Sequence, residues 1–271
     1  MSDTWSFHCT ACGRCCNTAP ELSVPELFHH QHRFIGRLAI RRVRRLESSD
    51  PNAPLDVLLV THAWHDERRA RCPALADDGR CSLEADRKPL VCTLAPLDAL
   101  VPDALQARVL AVRARDAAFF EADCLVTGER PGFAPLVRRL RVVDLEAQRT
   151  LARRREALAL EKRFWGTHVF RLLEPGLFSQ PAELAKIPPD GFMSLSIAPV
   201  LMVVAEASTR CRARCVEYLD AQLALARKLE LDDVVRTHAP LRDAMLRRDA
   251  GAPARPLAAD AEAWLGLTEA A

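Results

Sequence analysis

The sequence predicts an α+β protein: a small cysteine-rich half of short strands and loops, followed by a mainly helical C-terminal half. Three observations predict it. Eight of the ten cysteines fall before residue 125. The same stretch alternates short apolar runs with turns rich in Pro, Gly and Asp, which is strand-and-loop patterning. From about Leu136 longer helical patterning takes over. The expected division is residues 1–132 as a cysteine-cluster metal-binding domain and 133–271 as a helical region, a single compact unit being the alternative.

The chain is organised around Phe7-His-Cys-Thr-Ala-Cys-Gly-Arg-Cys-Cys16. Cys9, Cys12, Cys15 and Cys16 crowd four thiols into eight residues. Two-residue gaps let a loop curl its thiolates around one centre, as zinc and iron–sulfur sites require. Gly13 supplies the positive φ that aims amides at sulfur. Adjacent side chains diverge, so one of Cys15 and Cys16 serves a second centre or stays free; with Cys72, Cys81 and Cys92 downstream the pair reads as a hinge between two centres, one thiol facing each.

Ser23-Val-Pro-Glu26 then starts a helix, with Ser23 as cap, Pro25 in the first turn and Glu26 three residues on. That helix is expected to reach Gly36, with Leu27, Phe28 and Ile35 inward. Arg37, Arg41, Arg42, Arg44 and Arg45 follow, and a solvated basic face is favoured over an anion site. Residues 48–54 form a turn, and Leu55 to Thr61 reads as a strand.

Cys72 and Cys81 flank the Asp78-Gly79 hairpin signal and should approach each other. Cys92 comes after Pro89, in a stretch stiffened by Pro73, Pro89 and Pro96. Val109 to Arg113 reads as a further strand, and Cys124 follows. Residues 142–173 carry helical patterning, with Gly166 as the first breaker. Pro181, Pro188, Pro189 and Gly191 punctuate a loop, Phe192 to Ala207 is apolar, and Thr209 to Leu229 is an amphipathic helix. Residues 249–257 read as a joint before a short helix over 261–267.

Composition narrows the function. The 49% apolar and 27% charged content is that of an ordinary globular protein. A net charge of +2 argues against a reader of nucleic acid through a dominant basic surface. Only four of the 38 basic residues are lysines, a bias that fits a GC-rich genome. Met1 to Phe7 lacks a basic start and no apolar h-region follows it, and the nine-residue run Ile197 to Ala205 is too short to span a membrane. A cytoplasmic protein without membrane partners is therefore expected. In that reducing compartment, ten cysteines favour metal over disulfides.

Cys9, Cys12, Cys15, Cys16, Cys72, Cys81, Cys92 and Cys124 are the candidate metal ligands. Eight thiols supply two four-thiolate centres, as two zinc ions, two clusters or one of each. The C-x2-C-x2-C run resembles half of a bacterial ferredoxin loop, but the C-x3-C-x2-C spacing of radical enzymes that use S-adenosylmethionine is absent. Cys211 and Cys215 share a helix face continued by Leu219 and Leu223, so core is favoured over ligation. For His29, His30 and His32, and for His62 and His65, a structural role is favoured over a ligand or base. The ten glycines never fall as Gly-x-Gly, and no P-loop, serine nucleophile elbow or His-Glu-x-x-His run occurs.

Together these motifs resemble the YkgJ-type CxxCxxCC proteins, a family described as zinc- or iron-chelating. The resemblance rests on Phe7 to Cys16, Cys72-Pro-Ala-Leu75, Gly79-Arg-Cys-Ser-Leu83 and Lys88-Pro-Leu-Val-Cys-Thr-Leu-Ala-Pro96. It covers roughly residues 5–130. The sequence departs from the family pattern where Lys88 and Thr93 stand for arginines and Leu83 for an aromatic. Because the family includes flagellin N-methylase, the resemblance implies a metal site and, more loosely, an S-adenosylmethionine-dependent N-methyltransferase acting on lysine of a protein substrate. The third reading is a zinc-stapled module whose C-terminal helices bind another protein.

Overall fold

The computed structural model describes residues 4–10, 13, 20–43, 55–64, 72–84, 87–119, 123–189, 191–247 and 258–268. Its elements in chain order are β1 (Thr4–Phe7), α1 (Val24–His29), β2 (Gly36–Val43), β3 (Asp56–Ala63), α2 (Leu90–Leu94), α3 (Gln106–Phe119), β4 (Leu125–Thr127), β5 (Ala134–Arg138) and β6 (Arg141–Val142). Then come α4 (Leu145–Glu161), α5 (Thr167–Leu173), α6 (Pro181–Ala185), β7 (Phe192–Ser196), α7 (Ala198–Ala205), α8 (Thr209–Lys228), α9 (Asp232–Arg247) and α10 (Ala258–Trp264). Strands and helices are both present, as an α+β class requires. No helix among the described residues is long and apolar enough to cross a membrane.

The chain forms two compact units, each assembled from separated stretches: residues 1–20, 45–53 and 65–157, and residues 21–44, 54–64 and 158–271. The division therefore does not fall as one cut at 132/133. It interleaves because β2 pairs with β3 on one side and with the sequence-distant β7 on the other.

In the first unit β1 is the central partner of a sheet ordered β4-β1-β5-β6. Leu94, Leu97, Leu110, Leu136, Val137, Val142 and Leu151 form its core, with Trp5 and Phe7 against them. Val109 to Arg113 belongs to α3, not to a strand. The buried positions Gln106, Val109 and Leu110 repeat at helical spacing. Gln106 also anchors the helix start: its side-chain amide donates to the carbonyls of Asp98 and Val101 and accepts from the Asp98 N–H.

The second unit packs helices with the sheet β3-β2-β7. Ser23 and Glu26 start α1 as expected, the carboxylate accepting from the Ser23 N–H and hydroxyl. The helix stops at His29, however, seven residues short of Gly36. The reason is tertiary: buried Gln222 of α8 donates to the carbonyls of Gln31 and Phe34 and accepts from the Gly36 N–H and the Tyr218 hydroxyl. Those bonds hold 31–36 as a turn into β2. A Cβ at Gly36 would collide with the Tyr218 hydroxyl.

The arginines of β2 are partnered, not a solvated row. Arg37 pairs with Asp233, Arg41 with Glu21, and Arg42 donates to the carbonyls of Leu184 and Ile187. Arg44 and Arg45 lie outside the described residues. Gly166 does not break the long helix: Lys162–Gly166 widens into a π-turn and α5 continues. Glu161 before that turn is buried, and its carboxylate accepts from the Val24 N–H and the Trp165 indole. The apolar 192–207 stretch splits into β7 and α7. Helix α9 occupies a stretch without a cap or breaker signal named above, and α10 begins three residues before the expected 261.

Candidate metal centre

The first unit carries the described cysteines of the thiol motifs, Cys9, Cys72, Cys81, Cys92 and Cys124. Strand β1 pairs with β4 so that Phe7 faces Leu125, and the His8 N–H donates to the Cys124 carbonyl at 2.9 Å. Cys9 and Cys124 therefore emerge from the same end of two neighbouring strands. Cys9 is exposed, and Cys124 is half-buried.

The expected turn at Asp78-Gly79 forms. Gly79 adopts φ +81°, its N–H donates to the Ala76 carbonyl, and Leu75 bridges Cys81. Cys72 is 8% exposed, and the Ala74 N–H points at its sulfur from 3.5 Å. An amide aimed at sulfur favours the thiolate over the thiol, the form a metal takes.

Gly13, from the N-terminal thiol motif, rests on this hairpin. It has φ +69°, and a Cβ there would stand 2.7 Å from the Gly79 carbonyl oxygen and 2.9 Å from a Leu75 methyl. The glycine thus serves both a left-handed backbone and a close approach of two loops. Cys92 sits in α2, half-buried, with its N–H on the Pro89 carbonyl.

Lys88 joins the group electrostatically. Burial works against its charge, yet the Glu84 carboxylate at 2.8 Å and the sulfurs of Cys9 and Cys81 hold its pKa above the ordinary lysine value. A cation beside thiolates offsets part of the negative charge that a four-thiolate centre accumulates. In the sequence Lys88 stands out only as a departure from an arginine. Its position before Pro89 and Cys92 was the available signal.

Cys12, Cys15 and Cys16 lie outside the described residues. Among the described residues no group of three His, Cys, Asp or Glu side chains is close enough to hold a metal ion. The described cysteines offer soft sulfur donors of the kind zinc and iron–sulfur clusters take, and the Ala74 N–H is aimed at one of them.

The other described candidates, Cys211, Cys215, His29, His30, His32 and His62, lie in the second unit. Cys211 and Cys215 are fully buried in the second unit. Burial pushes both thiols up, Cys215 most, so they remain protonated and pack as small apolar groups. His29 and His30 make an edge-to-face pair, and His30 also packs against Phe34. His62 is buried on β3 and meets Ser194. His65 lies outside the described residues.

Comparison of the chain with protein-family models, with curated proteins and with solved structures finds no match.

Proposed function

We propose that the protein is a cytoplasmic cysteine-cluster metalloprotein that binds zinc or iron–sulfur through Cys9, Cys12, Cys15, Cys16, Cys72, Cys81, Cys92 and Cys124. The single observation that carries the reading is the seating of Gly13, at the centre of the C-x2-C-x2-C-C loop, on the Cys72–Cys81 hairpin. This contact puts one position of the N-terminal thiol motif against Leu75 and Gly79, between Cys72 and Cys81 in the chain. In this reading the metal supplies cross-linking and, if it is an iron–sulfur cluster, electron transfer. The chain's own residues hold thiolates, aim the Ala74 N–H at Cys72 and bring the Lys88 charge to Cys9 and Cys81.

The resemblance to YkgJ-type proteins supports the same assignment. Methyl transfer to a protein lysine, with S-adenosylmethionine as methyl donor, rests on that resemblance alone, as does a partner-binding module. Metal analysis and an absorption spectrum of anaerobically purified protein test the main reading. We expect zinc or iron in stoichiometric amount, with visible sulfur-to-iron charge-transfer bands in the iron case. Folded, metal-free protein with ten titratable thiols overturns it. Calorimetric titration of the loaded protein with S-adenosylmethionine separates the methyltransferase reading from metal binding alone.

A further inference from the structure

The second unit carries a nucleophile–base pair that the thiol cluster does not use. Ser194 on β7 and His62 on β3 flank the central strand β2, where Ser194 pairs with Ala39 and His62 with Arg37. Alternation along the strands puts both side chains on one face of the sheet. They meet across β2, with the Ser194 oxygen 3.1 Å from His62 Nε2. Ala39, the β2 residue beneath this contact, has a small side chain and is 3% exposed. Ser194 is exposed, whereas His62 is 7% exposed and has the Phe192 ring edge-on at 5.5 Å. An accessible hydroxyl backed by a shielded, packed imidazole is the arrangement that nucleophilic catalysis needs.

The backbone adds an oxyanion donor. The Arg42 N–H donates to the Gly191 carbonyl, which sets the alternation of the β2–β7 ladder. Residues 193 and 195 then turn their amides toward β2, and 192, 194 and 196 turn theirs away. Strand β7 is the edge of its sheet, so the Ser194 N–H faces outward beside its own side chain.

We propose that Ser194 and His62 form an acyl-transfer dyad for a small, uncharged ester. The substrate is uncharged because the flanking cations on the same face, Arg37 and Arg41, are already matched by Asp233 and Glu21. The Ser194 oxygen bonds to the ester carbonyl carbon while its proton passes to His62 Nε2, and the carbonyl electron pair moves onto oxygen opposite the Ser194 N–H. Collapse breaks the bond to the alcohol oxygen, which leaves with the proton from His62. Water then adds to the acyl-serine with His62 taking its proton, and Ser194 departs and regains it. No further reactant is needed.

The test is labelling of the full-length protein with an alkyl fluorophosphonate, which forms a serine–phosphorus bond and releases fluoride. We expect one label, located by mass spectrometry to the peptide containing Ser194, and a burst of acyl transfer from p-nitrophenyl acetate. Ser194→Ala, at an exposed position that the fold does not need, should lose both. His62→Gln should slow labelling at least ~100-fold, the contribution of a general base. Wild-type protein left unlabelled by excess reagent overturns the proposal, and so does a label that persists in Ser194→Ala. The dyad is independent of the metal reading, and either stands if the other fails.

Discussion

His238 shows how one residue of α9 couples the fold to pH. Its side chain is fully buried, and among the described residues its Nε2 has no hydrogen-bond partner. Burial first, and the Arg37 charge second, push its pKa down to about 4 from the usual 6.5. Because the folded value lies below the unfolded one, only the unfolded chain takes up this proton between those limits. The stability associated with neutral His238 is therefore complete above pH 6.5, falls as pH drops and is lost near pH 4. The difference corresponds to about 3 kcal/mol. Urea unfolding of wild type and His238→Met at pH 7.5 and pH 4.5 checks this: the wild type should lose more stability on acidification, and equal losses would refute it. Asp233 makes stability fall with acid in the same sense, but by favouring its charged form. Burial opposes its charge, but the Arg37 hydrogen bond and charge hold its pKa below the ordinary aspartate value, which favours the ion pair above the acid range.

Among elements, the turn between α1 and β2 depends most on a distant partner. Gln222 uses its whole amide on this turn and on Tyr218, with partners at 2.8–3.1 Å. Replacing it by leucine leaves the Gly36 N–H and the carbonyls of Gln31 and Phe34 buried without that partner. Each orphaned group costs about 1–3 kcal/mol. The expected loss for Gln222→Leu is several kcal/mol, measured by thermal or urea unfolding, with hydrogen exchange accelerated first at 31–36. A loss below about 1 kcal/mol would mean that water replaces the amide without cost. Helix α8 meanwhile keeps Cys211, Cys215, Tyr218 and Leu219 on one buried stripe, so this element is held by apolar packing as well as by the amide.

For the whole molecule, the two units differ in what should stabilise them. The second has a large apolar interior that includes Trp165, Tyr218, Phe34 and Leu201. The first has a smaller core and, in the proposed function, a metal whose binding energy is folding energy. Complete chelation should therefore remove hydrogen-exchange protection from β1, β4 and the Cys72–Cys81 hairpin. Protection of α7, α8 and β2 should persist. Uniform retention in both units would show that the metal, if bound, is not structural. Uniform loss would show that the two units unfold together.

The α+β class, the thiol groups, the Asp78-Gly79 hairpin, the start of α1 and the course of α8 were legible in the sequence. Each is set by neighbours a few residues away: a cap at Ser23, a glycine at 79, a stripe from Cys211 to Leu223. Local spacing also identified Gly13 as a special backbone position. It did not identify Gly79 and Leu75 as the surface on which Gly13 rests. The end of α1 at His29, the helical state of 109–113 and the partnering of Arg37, Arg41 and Arg42 were decided by tertiary structure. In each case a side chain from far along the chain, such as Gln222 or Asp233, or a packed core around Leu110, outweighed local propensity. The meeting of His62 with Ser194 belongs to the same class. Residues 132 positions apart become neighbours only when β7 adds to the edge of β2, and strand order is a long-range property that short-range patterning does not encode.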